Sequence, residues 1–213
     1  MASEINICNL ALAHLGDTAT IASLSPPEGS AQAEHCARFY PVARDSLLEM
    51  HSWWFATRRV QLALLTSGWP EWTYAYAQPA DALNVTAILP PESTDDYSTG
   101  VPDSAGGSYV PQPFSCEIND SGAPVIYTDQ ADAVLRYSAT VTDPTRFSPL
   151  FVMALSWHLA SMLAGPIIKG DAGAAEAKRC AGMMQAYLSK AVESDSSQRR
   201  VRPEHVVGWM AGR

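Results

Sequence analysis

The chain has 213 residues, 47% of them hydrophobic, which suits one large domain or two small ones and excludes a disordered chain. Its 14 basic and 22 acidic residues give a formal net charge of −8, which argues against a basic nucleic-acid-binding surface over the whole body. Only 17% of the residues are charged, a low share that suits a surface partly covered by other subunits.

Two helices are predicted near the N-terminus. The first begins after Ser3, a candidate N-cap, and ends at Gly16. The second runs from Ser30 to about His51, and Pro41 inside it is expected to kink it or divide it into two abutting helices.

The helical period disappears over residues 53–143, where aromatic residues and short alternating stretches predict strands. The alternation in residues 72–76 predicts a strand with one large face. A hairpin turn is predicted at residues 119–122. Further strands are predicted over residues 83–89, 114–118, 125–128 and 133–142.

One segment between these strands, residues 92–111, is strongly acidic. It contains Glu92, Asp95, Asp96 and Asp103 and no basic residue. A connection of this length is too long for an ordinary turn, so we predict a projecting loop or a locally disordered arm.

Helical patterns return in the last third. Ser148 is the candidate cap of a helix that is apolar on every side and should end at Gly165–Pro166. The fourth helix runs from about Asp171 to Val192. A stripe of small and apolar residues on it suits close packing within a bundle or between subunits: Ala177, Ala181, Met184 and Leu188.

The predicted fold class is therefore α+β. It is a helical bundle of about four helices with an inserted antiparallel β domain and an extended C-terminal tail. The predicted parts are N-terminal helices over residues 1–52, the β domain over 53–145, C-terminal helices over 146–194 and the tail over 195–213.

The sequence shows no catalytic or metal-binding motif. The histidines form no H-E-x-x-H pattern, and His158 is expected to be a core residue with one backbone or hydroxyl partner. The four cysteines form no C-x-x-C pair and are expected to be free thiols. We therefore predict a protein that is not an enzyme and uses no cofactor or metal.

The sequence predicts neither export nor insertion into a membrane. The first residues lack a basic stretch followed by an apolar core, so we predict no signal peptide. The apolar stretch at residues 150–168 contains Pro166, and its helical part is predicted to be too short to cross a bilayer. We expect a soluble chain without a membrane partner.

Two features suggest protein partners. The first is an aromatic set that forms either the core of the inserted sheet or a recognition surface: Trp53, Trp54, Trp69, Trp72, Tyr74 and Tyr76. The second is the tail, which combines positive charge with an apolar anchor. It either binds a partner or is simply a frayed terminus. Its candidate contact residues are Arg199, Arg200, Arg202, Val206, Trp209 and Met210.

Six segments, taken in order, resemble a known family. They are EINICNLALAHLG (residues 4–16), ARFYPVARDSLL (37–48), WWFA (53–56), YAQPAD (76–81), LRY with VTD (135–143), and FSPLF with LASMLA (147–164). Their order along the chain is similar to that in the tail tubular protein A group. These proteins are the head-to-tail adaptors of short-tailed phages and related prophages. The resemblance covers about residues 3–192.

The resemblance implies a structural virion protein, located in the neck and assembled in the host cytoplasm. Such adaptors form a ring of twelve subunits between the portal protein and the tail nozzle or tail tube, and genomic DNA passes through the lumen. An acidic body suits a channel wall because it repels the phosphate backbone. On this basis the tail residues are predicted to bind the portal, the stripe on the fourth helix to contact a neighbouring subunit, and Asp95, Asp96 and Asp103 to face the tail.

Two other interpretations stay open at this stage. One is a protein-binding module unrelated to phage that uses the aromatic β domain as its groove, in which case Trp72 and Tyr74 should matter most. The other is an enzyme with a site between helices and sheet that gathers His51, His158 and acidic residues.

Overall fold

The computed structural model describes residues 2–66, 69–91 and 112–198. They form a helical unit, residues 2–56 and 140–198, and a β unit within residues 57–139. The fold is α+β, as predicted, because the β unit is inserted between two pairs of helices in chain order. Segments 53–56 and 140–145, which the sequence analysis assigns to the β domain, belong to the helical unit instead.

The first two helices begin at the predicted caps. Helix α1 spans Glu4–His14, and the Ser3 side chain accepts a hydrogen bond from the Asn6 amide at 3.1 Å. Helix α2 spans Ala31–Met50, and Ser30 caps it through the Ala33 amide at 3.2 Å. Of the two expectations for Pro41, a division into two helices is wrong, because one helix continues through the proline with buried side chains on both sides of it. A kink at Pro41 stays a prediction.

The third helix, α3, spans Pro149–Ile168 and forms the centre of the helical unit, since it contacts α1, α2 and α4 (Gly170–Ser196). Ser148 caps it through the Phe151 amide at 3.3 Å, as predicted. The predicted end at Gly165–Pro166 is wrong. Pro166 lies in the last turn, where it removes only one amide from the hydrogen-bond ladder, and the chain leaves the helix at Lys169 with φ +64°.

Helix α3 is also longer than the sequence predicted, so the expectation that it is too short to cross a bilayer is wrong. Its 20 residues extend about 30 Å, so by length and composition alone it could cross a membrane. Half of the apolar stretch of this helix is buried inside the fold. Its contacts with three other helices account for an apolar surface on every side.

The β unit contains two antiparallel sheets. The first has the strand order β1-β7-β4, and the second has the order β2-β3-β6-β5. The strands are β1 (Thr57–Gln61), β2 (Ala63–Leu65), β3 (Tyr74–Ala77), β4 (Ala82–Leu89), β5 (Phe114–Ile118), β6 (Pro124–Thr128) and β7 (Val134–Ala139). The predicted turn between β5 and β6 is confirmed, and Asn119 accepts hydrogen bonds from the Ser121 and Ala123 amides.

Side chains from both sheets form one core in the β unit. It includes Tyr76 and Ile126 from the second sheet and Ile88 and Leu135 from the first. The Tyr76 hydroxyl donates to the Gln130 carbonyl at 2.9 Å, which satisfies its polar end. Strands β1 and β2 were not predicted and form one edge of each sheet, joined at the buried Leu62.

Candidate interaction surface

The segment that leaves α2 is anchored by Trp53. Its indole N–H donates to the Leu47 carbonyl at 2.9 Å, and its ring is fully buried. It packs edge-to-face against Phe151 of α3, with ring centroids 5.0 Å apart. The next residue, Trp54, is turned outward and is 58% exposed. The two adjacent tryptophans therefore have opposite roles, one in the core and one on the surface.

Asp195 ties the end of α4 to this segment. One carboxylate oxygen accepts from the Trp54 amide at 3.2 Å, and the other lies 3.1 Å from His51 Nε2. The Asp195 side chain is only 9% exposed. A buried carboxylate with two such partners fixes the last turn of α4 beside Trp54.

Trp54 lies at the edge of a surface groove of about 630 Å³. Phe55 and Phe147 form its aromatic part, with ring centroids 5.6 Å apart. Arg146, held by Asp143 at 3.6 Å, supplies the basic side chain among the described lining residues. Those lining residues are Trp54, Phe55, Thr145, Arg146, Phe147, Ser148, Pro149, Ser194 and Gln198.

The chemistry of this groove favours binding. Exposed tryptophan and arginine are the residue types that dominate protein–protein contacts. Its described lining contains no cysteine, histidine or carboxylate, so that lining lacks a nucleophile with a partner base. Within the described ranges, no cluster of three or more histidine, cysteine or acidic residues could hold a metal ion. We therefore regard the groove as a candidate surface for a protein partner.

Two titratable histidines are half-buried within the helical unit. His14 of α1 stacks on Trp157 of α3 at 3.6 Å, and its Nε2 lies 3.1 Å from the Ser156 hydroxyl. Arg179 of α4 lies over the same Trp157 ring and donates to the His14 carbonyl at 3.1 Å. Burial, and then the Arg179 charge, lower the pKa of His14. This stack joins three helices.

His158 has the hydroxyl partner that the sequence predicted, and the residue is half-buried. Its Nε2 lies 3.0 Å from the Ser46 hydroxyl of α2, and burial lowers its pKa. His51 instead pairs with Asp195 of α4. The two histidines named for the enzyme alternative thus have separate partners on different helices.

The predicted aromatic set is split between the two units. Trp53 and Trp54 belong to the helical unit, so the expectation that they form part of the inserted sheet is wrong. In the β unit Tyr76 is buried and Tyr74 and Trp72 are half-buried against core residues. These three side chains mainly fill the interior of the β unit.

The predicted stripe on α4 is half-buried in the single chain at Ala177, Ala181, Met184 and Leu188. Fully buried positions of α4 lie beside it and include Gly173. A Cβ atom at Gly173 would lie 3.0 Å from the Ala164 carbonyl oxygen, so α3 and α4 approach closely there. Small residues on α4 therefore serve packing inside the chain, and a subunit contact through the stripe remains a prediction.

The other predicted contact residues lie outside the described part of the chain. These are the tail residues Arg199, Arg200, Arg202, Val206, Trp209 and Met210 and the loop residues Asp95, Asp96 and Asp103. Their assignments remain predictions.

Sequence reasoning missed the groove because its residues come from three separate segments. The run WWFA and the phenylalanine before the Ser148 cap were the available signals. Neither signal shows which tryptophan faces outward. No protein-family model matches the chain, and no curated protein matches it significantly. The function is therefore inferred from the residues and their arrangement.

Proposed function

We propose that this chain is a head-to-tail adaptor of a short-tailed phage or prophage. It forms a ring, of twelve subunits by the resemblance, between the portal protein and the tail nozzle or tube. The observation that carries the proposal is the chain order of the fold. An antiparallel β unit is inserted between α2 and α3 of a four-helix unit, which is the arrangement that the resemblance implies.

The segments that carry the resemblance to the adaptor family also contact one another within each unit. In the helical unit Trp53 of WWFA bonds to Leu47 of ARFYPVARDSLL and packs on Phe151 of FSPLF. In the β unit the Tyr137 hydroxyl of LRY donates to Asp81 of YAQPAD at 3.0 Å. Residues that mark the resemblance are therefore residues that hold each unit together, which supports a shared fold.

The proposed role needs binding surfaces and no chemistry. The Trp54 groove offers one aromatic surface for a neighbouring virion protein, and the end of α4 places the start of the tail beside it, since Gln198 lines the same groove. The tail residues would then bind the portal. The formal charge of −8 per chain favours a lumen that lets DNA slide without binding.

The portal contact can be tested by co-sedimentation with portal particles formed by the portal protein of the same genome. The full chain should sediment with them, and a chain that ends at Gln198 should not. Ending the chain at Val192 would be a poor test, because it removes Asp195 and its bonds to His51 and Trp54. A matched control replaces Lys190, exposed on α4, with alanine and should bind like the wild type.

If the chain that ends at Gln198 sedimented with the portal as well as the full chain does, the tail would not be the portal contact. Failure of the wild-type chain to sediment would contradict the adaptor role itself.

A further inference from the structure

We propose that neighbouring subunits join through their β units. Strand β2 of one subunit pairs with strand β5 of the next and extends the four-stranded sheet from chain to chain. The inference rests on the proposed ring and names the surface that builds it. The partner is a second copy of this chain.

The first support is the pair of open sheet edges. Strand β2 pairs only with β3, and β5 pairs only with β6, among the strands that the structure describes. Within the described residues each edge has no further strand partner, so its outward-facing backbone N–H and C=O groups could accept another strand. Solitary proteins often protect such edges with charged residues, but β2 is Ala-Leu-Leu and carries none.

The second support is strand direction. Strand β2 runs antiparallel to β3, β3 to β6, and β6 to β5, so directions alternate across the sheet. Because the number of strands is even, β2 and β5 run in opposite directions. A second copy added in the same orientation thus places its β2 antiparallel to the first copy's β5. Such a contact uses two different surfaces on each subunit, as a closed ring requires.

The third support is one row of side chains across the sheet. Leu64 is paired with Tyr76, Tyr76 with Ile126, and Ile126 with Cys116. Directly paired residues share one face of a sheet, so this row belongs to the core face. Its two middle members are buried, whereas Leu64 is 63% exposed at one end and Cys116 is exposed at the other. Subunit pairing would place Cys116 beside the next Leu64 and continue the row.

Further exposed apolar side chains lie at both edges. Leu65 of β2 is 39% exposed, and Ile118 of β5 is 74% exposed. Pairing would remove this surface from water, and apolar burial contributes about 25 cal/mol per Å².

The two edges differ in charge. Strand β2 carries no charged residue, while residues 114–123 contain Glu117 and Asp120 and no base. Like charges disfavour a β5–β5 contact, and the uncharged β2 edge does not repel β5.

Disulfide cross-linking of the full chain tests this directly, because Cys116 is exposed and Cys8, Cys36 and Cys180 are fully buried. Leu64→Cys would place a second thiol at the opposite end of the row. Within one chain the two thiols are three strand spacings apart, about 14 Å, too far for a disulfide. Any disulfide between the introduced thiol and Cys116 must therefore join two subunits.

We expect L64C, assembled on portal particles and oxidised with diamide, to give a ladder of covalent oligomers on a non-reducing gel. Ala63→Cys and Leu65→Cys cover a one-residue shift in register. Two controls should give no ladder. One is L64C with Cys116→Ser, and the other is Val42→Cys, a 57% exposed apolar position on α2.

Two results would overturn the proposal. One is the absence of a ladder in all three variants, and the other is covalent dimers of L64C with C116S, which would indicate β2–β2 pairing. Wild-type rings seen by electron microscopy without a ladder would contradict the β2–β5 contact and leave the adaptor role intact. Absence of wild-type rings would contradict the adaptor role.

Discussion

The Asp195 carboxylate bridges the His51 ring at 3.1 Å and the Trp54 backbone amide at 3.2 Å. It thereby joins the end of α4 to the chain that leaves α2. Replacing Asp195 with alanine removes the acceptor of the Trp54 amide and the partner of His51, and the free energy of unfolding should fall by about 1 kcal/mol. Urea unfolding followed by circular dichroism measures it.

The control for Asp195 is Glu193→Ala, an exposed carboxylate on the same turn of α4. That change should stay within about 0.5 kcal/mol of the wild type. Equal effects of the two substitutions would contradict a specific role for Asp195.

Acid should destabilise the helical unit through two half-buried histidines. Burial lowers the pKa of both His14 and His158 in the folded chain. The unfolded chain therefore binds protons more readily, and the free energy of unfolding falls as the pH drops below the ordinary histidine pKa of about 6.5. Urea unfolding at pH 7.5 and pH 5.5 measures the difference.

The matched variant for this pH effect combines His14→Asn and His158→Asn. It should be less stable at pH 7.5 but should lose less stability on acidification. If the double variant lost as much stability between pH 7.5 and pH 5.5 as the wild type, other groups would be responsible for the acid effect.

Two glycines on α4 should respond in opposite directions. Gly173→Val introduces side-chain atoms where a Cβ alone would lie 3.0 Å from the Ala164 carbonyl, so α3 and α4 must separate, at a cost of about 1–3 kcal/mol. Gly182→Ala meets no atom within 4 Å and should stabilise the helix by about 0.5–1 kcal/mol. Thermal unfolding of both variants checks the signs, and a neutral G173V would contradict the close approach.

Substitution of the two adjacent tryptophans should have different effects, on stability at Trp53 and on binding at Trp54. Trp53→Ala empties a fully buried site and should cost about 3–5 kcal/mol. Trp54→Ala should change stability by less than about 0.5 kcal/mol, because its side chain is largely exposed. If the groove binds a virion protein, W54A should form rings on the portal but recruit the tail nozzle or tube protein less well in a pull-down assay. Wild-type recruitment would exclude the groove from that contact.

The parts of the fold that the sequence predicted have strong local signals. Ser3, Ser30 and Ser148 cap their helices because a serine side chain satisfies an amide that the first turn leaves unpaired. The strand over residues 114–118 and its Asn119 turn were predicted for similar reasons. Such signals are readable without knowledge of tertiary contacts.

The parts that were missed depend on tertiary position. Strands β1 and β2 are edge strands with mostly exposed side chains on both faces, so their sequence has no alternation of apolar and polar residues. The groove depends on which of Trp53 and Trp54 points inward, and that is fixed by Leu47 and Phe151. Helix α3 passes Pro166 because the proline lies in its last turn.

Electron microscopy of the full chain mixed with portal particles from the same genome is the decisive test of the adaptor role. We expect a closed ring, of twelve subunits by the resemblance, on the tail-facing end of the portal. We also expect continuous density between the β units of neighbouring subunits, at β2 and β5. A monomer that leaves the portal bare would contradict the adaptor role.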